Sequence, residues 1–177
     1  MNHISQQNEL TLQVPPQRLQ ARDAAPEGYK ALYAVEAYLG RSGLEETLLH
    51  MVYLRASQMN GCAFCTDMHW KDARAAGVEE TKLAMLPVWR EAPFFTERER
   101  AALEWTEAVT FIAQSRVSDA LYRLAREHFS ESELVNLTIA VGSMNTWNRL
   151  SIAFQKTAGV YKPVPRVRRA LAEQGSV

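Results

Sequence analysis

The sequence predicts an all-α fold, a single-domain helical bundle, and three observations carry that reading. Apolar residues recur at helical spacing through one segment after another. Ser/Thr-x-x-Glu boxes, a signature of helix starts, stand before several of those segments. No stretch combines sustained apolar–polar alternation with β-branched residues, so strand signals are missing.

The elements follow in order. Residues 1–27 read as an arm, with Pro15, Pro16 and Pro26 breaking any regular element. Residues 28–158 read as the helical domain and 159–177 as a basic tail carrying Arg166, Arg168 and Arg169. Tyr29 to Gly40 carries an apolar stripe at Leu32, Val35, Tyr38 and Leu39. Ser42 and Glu45 match a capping box for a helix over about 44–59, with Leu48, Leu49, Val52, Tyr53 and Ala56 on one face. Asn60-Gly61 is a turn signal, and the helix after it should stop near Gly77, a natural C′ residue.

Pro87 and Pro93 leave only short helical turns over 78–95. Thr96 and Glu99 then box a helix predicted to run to Ser115, and Ser118 caps one running to Phe129. Ser130 and Glu133 open the longest element, about 131–156. Its stretch from Leu134 to Met144 is apolar on more than one side, which predicts burial on both flanks. Ala140, Gly142 and Ser143 would admit a close helix neighbour.

Composition narrows the function classes. At 177 residues with 47% hydrophobic content, the chain can build a core without a disulfide or a structural metal. Twenty basic and twenty acidic residues cancel, so no global field favours nucleic acid or an anionic membrane. Met1 to Gln13 lacks the build of a signal peptide, and no run reaches the roughly 18 apolar residues of a membrane span. The expected address is cytoplasmic, where a Cys-x-x-Cys pair is more often catalytic or metal-binding than structural.

The only two cysteines, Cys62 and Cys65, stand three apart, and His69 follows four residues after the second. At a helix start the unsatisfied N–H groups and the macrodipole stabilise a thiolate. A spacing of three in a helical turn also brings two Cα atoms within disulfide range. His69, one turn beyond Cys65, can take and return a thiol proton. His50 lies twelve residues before Cys62, and a helical hairpin about Asn60-Gly61 would set it opposite His69. The thioredoxin fold is excluded because it needs a strand before the motif. Cys62, Cys65, His69 and His50 also have the chemistry of a four-ligand metal site, although a chain with this much core does not need one to fold.

The stretch from Leu54 to His69, centred on Asn60-Gly61-Cys62-Ala63-Phe64-Cys65, closely resembles the core of the alkylhydroperoxidase D-like proteins of the carboxymuconolactone decarboxylase-like superfamily. The resemblance continues through Lys71-Asp72-Ala73-Arg74, Trp89-Arg90-Glu91, the segment from Phe95 to Leu103, and Asn145-x-Trp147-Asn148-Arg149. It implies an all-α fold assembled as a homo-oligomer, a trimer or hexamer, with thiol peroxidase or disulfide reductase activity. Its partners would be a small-molecule peroxide and a dithiol reductant or reductase protein, with no nucleic acid, no membrane and no bound cofactor. A dihydrolipoyl group is a fitting external donor.

The resemblance makes Cys65 the peroxidatic thiolate and Cys62 the resolving one. The residues alone are split: the helix terminus favours Cys62 as the more acidic thiol, and the neighbouring histidine favours Cys65. Where the family commonly has a carboxylate in the proton relay, this chain has His50, which can pass a proton but cannot hold an imidazolium by charge. The catalytic set is therefore Cys65, Cys62, His69 and His50, with no metal ligand assigned. Two other readings compete: a lactone decarboxylase or isomerase, which would need no cysteine pair, and a non-enzymatic metal-binding or redox-sensing module.

Overall fold

The computed structural model describes residues 16–163, and within them every regular element is helical. His3, Pro15 and the tail arginines lie outside the described residues. A single turn, α1 (Ala21–Ala24), precedes α2 (Pro26–Leu39). Pro26 does not break a helix as the sequence suggested. It opens α2 from its first turn, where its missing N–H is no loss.

Next come α3 (Glu46–Met59) and α4 (Ala63–Ala75), joined by a tight turn at Asn60-Gly61. Gly61 takes φ 68°, a left-handed conformation that glycine adopts without steric cost. Ala76 caps the end of α4 and Gly77, at φ 98°, is its C′ residue, as predicted. The predicted box at Ser42 does not form. Ser42 Oγ donates to the Leu39 carbonyl at the end of α2, and Glu45 is drawn away into an ion pair with Arg98 at 2.9 Å. With Gly43 at φ 90° between them, α3 starts one residue past Glu45, whose side chain makes no cap.

α5 (Glu80–Met85) and a 3₁₀ turn (Leu86–Val88) fill the proline-limited stretch. α6 (Glu97–Thr110) starts on the predicted Thr96/Glu99 box, with both reciprocal bonds made. The predicted run to Ser115 breaks at Phe111 (φ −110°, ψ 42°) and resumes as a single turn, α7 (Ile112–Ser115). Val109, Thr110, Phe111 and Ile112 are four weak helix formers in succession, which makes this the place for the helix to yield. α8 (Asp119–His128) is capped by Ser118, and α9 (Glu131–Ala153) by the Ser130/Glu133 box.

α3 is the centre of the bundle, packed against α4, α6 and α9, while α2 and α8 brace α9 and α6 from outside. Leu39, Val52, Leu54, Leu103, Leu137 and Val141 have no exposed surface. Each such leucine contributes roughly 1.5–3 kcal/mol by burial. Polar ties fix the helices to one another. Glu107 of α6 accepts from Arg55 Nε of α3 (2.8 Å), Trp89 Nε1 (2.8 Å) and Arg90 Nη1 (2.6 Å). Arg98 reaches Glu45, Glu133 and the His128 carbonyl, and its guanidinium lies over the Phe129 ring.

α9 departs from the prediction on one side. Leu134, Leu137, Val141 and Met144 are buried, but Val135 is 58% and Ile139 38% exposed. Gly142 faces open space and no helix approaches it. Among the described residues, one flank of α9 is therefore uncovered.

Candidate active site

The turn that carries the cysteines is held from three directions. Gly61 turns the chain, and Cys62 N–H donates to the Ser57 carbonyl at 3.0 Å. Asn60 Nδ2 donates to the Ala56 carbonyl (3.0 Å), to Asn145 Oδ1 (2.8 Å) and to Asn148 Oδ1 (2.9 Å). Asn148 Nδ2 in turn donates to Ser57 Oγ at 3.0 Å, and Asn145 Nδ2 to the Val141 carbonyl at 3.0 Å. Asn145 and Asn148 of α9 therefore clamp the Asn60-Gly61 turn to the bundle.

Cys62 is the N-cap of α4, and its Sγ accepts the Cys65 N–H at 3.3 Å. A sulfur in that position receives an orphan helix donor and the positive end of the helix dipole, both of which favour a thiolate. Cys65 stands in the first turn of α4 and is bonded to Cys62 as a disulfide, with the Cα atoms 5.4 Å apart. Both residues are 1% exposed. Between them, Phe64 packs under Lys156, whose Nζ lies 3.8 Å from the ring centroid. Partial burial pushes the Lys156 ammonium below its usual range.

One turn further along α4, His69 faces α3. Its ring centroid lies 6.1 Å from that of His50 and 5.0 Å from that of Tyr53. The hairpin thus brings His50 and His69 together as the sequence predicted. His69 is buried, and neither ring nitrogen has a hydrogen-bond partner among the described residues. Burial, with His50 alongside, pushes the imidazole down from 6.5 to about 3, so it stands neutral near pH 7. Tyr53 donates its hydroxyl to Glu36 Oε2 at 3.1 Å, and burial together with that carboxylate pushes its phenol far up. It is a fixed neutral donor rather than an acid.

Sequence reasoning missed two members of this cluster. Asp72 is buried one turn beyond His69, and Tyr161 donates its hydroxyl to Asp72 Oδ1 at 2.8 Å. Donor atoms of His50, His69 and Asp72 all lie within 4.8 Å of one another. The only hint in the sequence was the spacing of three between His69 and Asp72, which sets both on one helix face. Tyr161 offered none. It arrives because residues 159–163 run back over α4, with Gly159 N–H donating to Asp67 Oδ2 (3.1 Å) and Lys71 Nζ to the Tyr161 carbonyl (3.1 Å). Asp67 pairs with Lys71 at 2.8 Å and holds this segment down.

No helix among the described residues is long and apolar enough to cross a membrane. The model of the carboxymuconolactone decarboxylase family matches residues 24–108. The uncharacterized protein YdfG of Bacillus subtilis (strain 168) is 42% identical over 142 residues, which cover 80% of this chain and 97% of that protein. A crystal structure from Agrobacterium tumefaciens, of a protein of unknown function termed a putative antioxidant defence protein AhpD, is 44% identical with a TM-score of 0.79. It matches 82% of this chain and 100% of that one. The debrominase Bmp8, without ligand, is 16% identical with a TM-score of 0.71, over 78% of this chain and 74% of that one. At that identity the likeness concerns the fold alone.

Proposed function

The chain belongs to the carboxymuconolactone decarboxylase family, on its alkylhydroperoxidase D-like side, and from that premise we propose that it is a thiol-dependent peroxidase reducing hydrogen peroxide or small organic hydroperoxides. One observation carries this reading. Two cysteines at a helix start reach each other across 5.4 Å between Cα atoms, with Cys62 Sγ already accepting a helix N–H. Opening and closing that bond needs little backbone movement.

The cycle starts from the reduced pair. Cys65 thiolate attacks the O–O bond, taking one oxygen as sulfenic acid, while the other leaves as alkoxide or hydroxide and is protonated. Cys62 thiolate then attacks the Cys65 sulfur, forming the disulfide and releasing the hydroxyl as water. An external dithiol, dihydrolipoyl in type, reduces the disulfide by exchange at Cys62 and is itself oxidised to a disulfide.

His69 is the group that takes the Cys65 proton and returns it to the leaving oxygen. A neutral imidazole has the right form to accept that proton. The thiolate it creates one turn away raises the imidazole's affinity for it. His50, facing His69, passes protons onward. The burial of both cysteines favours small peroxides over bulky ones. The protein works in the reducing cytoplasm as a homo-oligomer, a trimer or hexamer, and the uncovered Val135–Ile139 flank of α9 is surface available for subunit contact.

The test is thiol-dependent peroxide consumption by wild type, Cys65→Ser and Cys62→Ser, with the disulfide followed by mass. Cys65→Ser should lose turnover entirely. Cys62→Ser should give one burst that stops at a sulfenic acid, trapped by a dimedone-type reagent. Full turnover by Cys65→Ser would sink the assignment.

A further inference from the structure

His50, His69 and Asp72 converge from two helices onto one buried point, and the proton relay does not explain all of them. A carboxylate has no role in the relay as drawn, yet Asp72 is buried beside the two imidazoles with its donor atom within 4.8 Å of theirs. His69 keeps both ring nitrogens without a partner although the residue is 6% exposed. A buried polar group left in that state is destabilising, and an apolar ring of the same shape would avoid the cost. Such a set needs a further reason to exist.

We propose that His50, His69 and Asp72 form a binding site for a divalent first-row transition cation, with zinc as its best-fitting member. Two imidazoles and one carboxylate are the donors such ions take, and they leave coordination positions open for water. Metal–ligand bonds of about 2.0–2.2 Å place tetrahedral donors about 3.4 Å apart, so side-chain rotations on the order of 1 Å close the observed spacing. The surroundings match the outer shell such sites carry. Tyr161 fixes one Asp72 oxygen by its 2.8 Å hydrogen bond and leaves the other for the ion. Glu46 Oε1 lies 3.7 Å from His50 Nε2, so a second carboxylate orients that ring and helps balance the dication's charge.

The site stands without the cysteines. In the disulfide form their sulfurs are bonded to each other and are poor ligands, while the three donors stay in place. An ion there would occupy the imidazoles assigned to proton transfer, so metal-loaded and peroxide-reducing states exclude one another. That consequence alone rests on the peroxidase reading.

The experiment uses the oxidised, chelator-stripped full chain titrated with zinc chloride by calorimetry, with bound metal counted by elemental analysis. One zinc per chain is expected. Asp72→Asn, close in shape to the original, should weaken binding at least tenfold, and Tyr161→Phe about tenfold through the lost orientation of the carboxylate. The Cys62→Ser/Cys65→Ser variant should bind as wild type does. Failure of wild type to bind zinc at millimolar concentration overturns the proposal. So does binding unchanged in Asp72→Asn, or binding lost only with the cysteines. Zinc that binds as expected but leaves peroxide turnover untouched keeps the site and removes His69 from the relay.

Discussion

Two polar clusters are buried against α3, and they are built in opposite ways. On the α9 side, Ser57, Asn60, Asn145 and Asn148 satisfy one another, with each amide of the two α9 asparagines engaged. On the α4 side, among the described residues, the ring nitrogens of His69 have no partner, and Asp72 is tied through Tyr161, which arrives from the far end of the described chain. The first cluster looks inward and holds a turn. The second keeps capacity in reserve, and that reserve is what chemistry requires. Function is better located by which buried polar groups remain unsatisfied than by how many are buried.

The comparison breaks most sharply at His69. His69→Gln should lower kcat/KM for peroxide by about 10²–10⁴, the usual worth of a positioned general base, while the protein stays folded. Stopped-flow peroxide consumption beside a thermal melt checks both halves. A variant that loses stability but keeps its rate would place His69 with the asparagines.

A satisfied network should behave in the reverse manner. Glu107 accepts from Arg55, Trp89 and Arg90, and those donors hold its carboxyl below the usual range against the opposing effect of burial. Glu107→Gln should cost about 2–3 kcal/mol, because the half-enclosed Arg55 loses its counter-charge. Urea denaturation reads that loss. The rate per folded molecule should not change.

Asn148→Ala is the direct test of the clamp, and a smaller effect is expected. It strands Ser57 Oγ and one bond of Asn60, which costs about 1–3 kcal/mol. Loosening the Asn60-Gly61 turn should also shift the dithiol–disulfide equilibrium, read by titration against a glutathione buffer. A stability loss with no change in that equilibrium would make the cluster a plain core brace.

Local features of this molecule were legible in the sequence and non-local ones were not. The Thr96/Glu99 and Ser130/Glu133 boxes form because every atom they need lies within one turn. The Ser42/Glu45 box has the same letters and fails, because Arg98, fifty-three residues from Glu45, takes the carboxylate. The meeting of His50 with His69 followed from a hairpin about Asn60-Gly61, a turn with a local signal. The pairing of Asp72 with Tyr161 crosses eighty-nine residues and depends on how residues 159–163 run back over α4. Nothing short-range encodes it. The break at Phe111 was written in four weak helix formers, a signal that apolar periodicity conceals.

Acid stability gives the last and mildest separation of the two clusters. His69 titrates near 3 in the folded chain and near 6.5 when exposed. Below pH 6.5 the unfolded chain therefore takes up a proton that the native state refuses, and stability falls with pH until about pH 3. The slope is about 1.4 kcal/mol for each pH unit once the unfolded histidine is fully charged. Glu45, Glu107 and Glu133 have folded pKa values below their ordinary 4.5, so their contribution is present above that pH and is lost only below it. Between pH 6.5 and about 5.5 those carboxylates are mostly ionised in both states, which leaves His69 to set the slope. In melts across that window, wild type should lose stability faster than His69→Gln as the pH falls, because the variant has no imidazole to charge at this position. Asn148→Ala should run parallel to wild type throughout, since no group in its cluster titrates there. Parallel curves for His69→Gln would mean that the folded imidazole takes up its proton at the same pH as the exposed one, and burial would then not be what keeps it neutral.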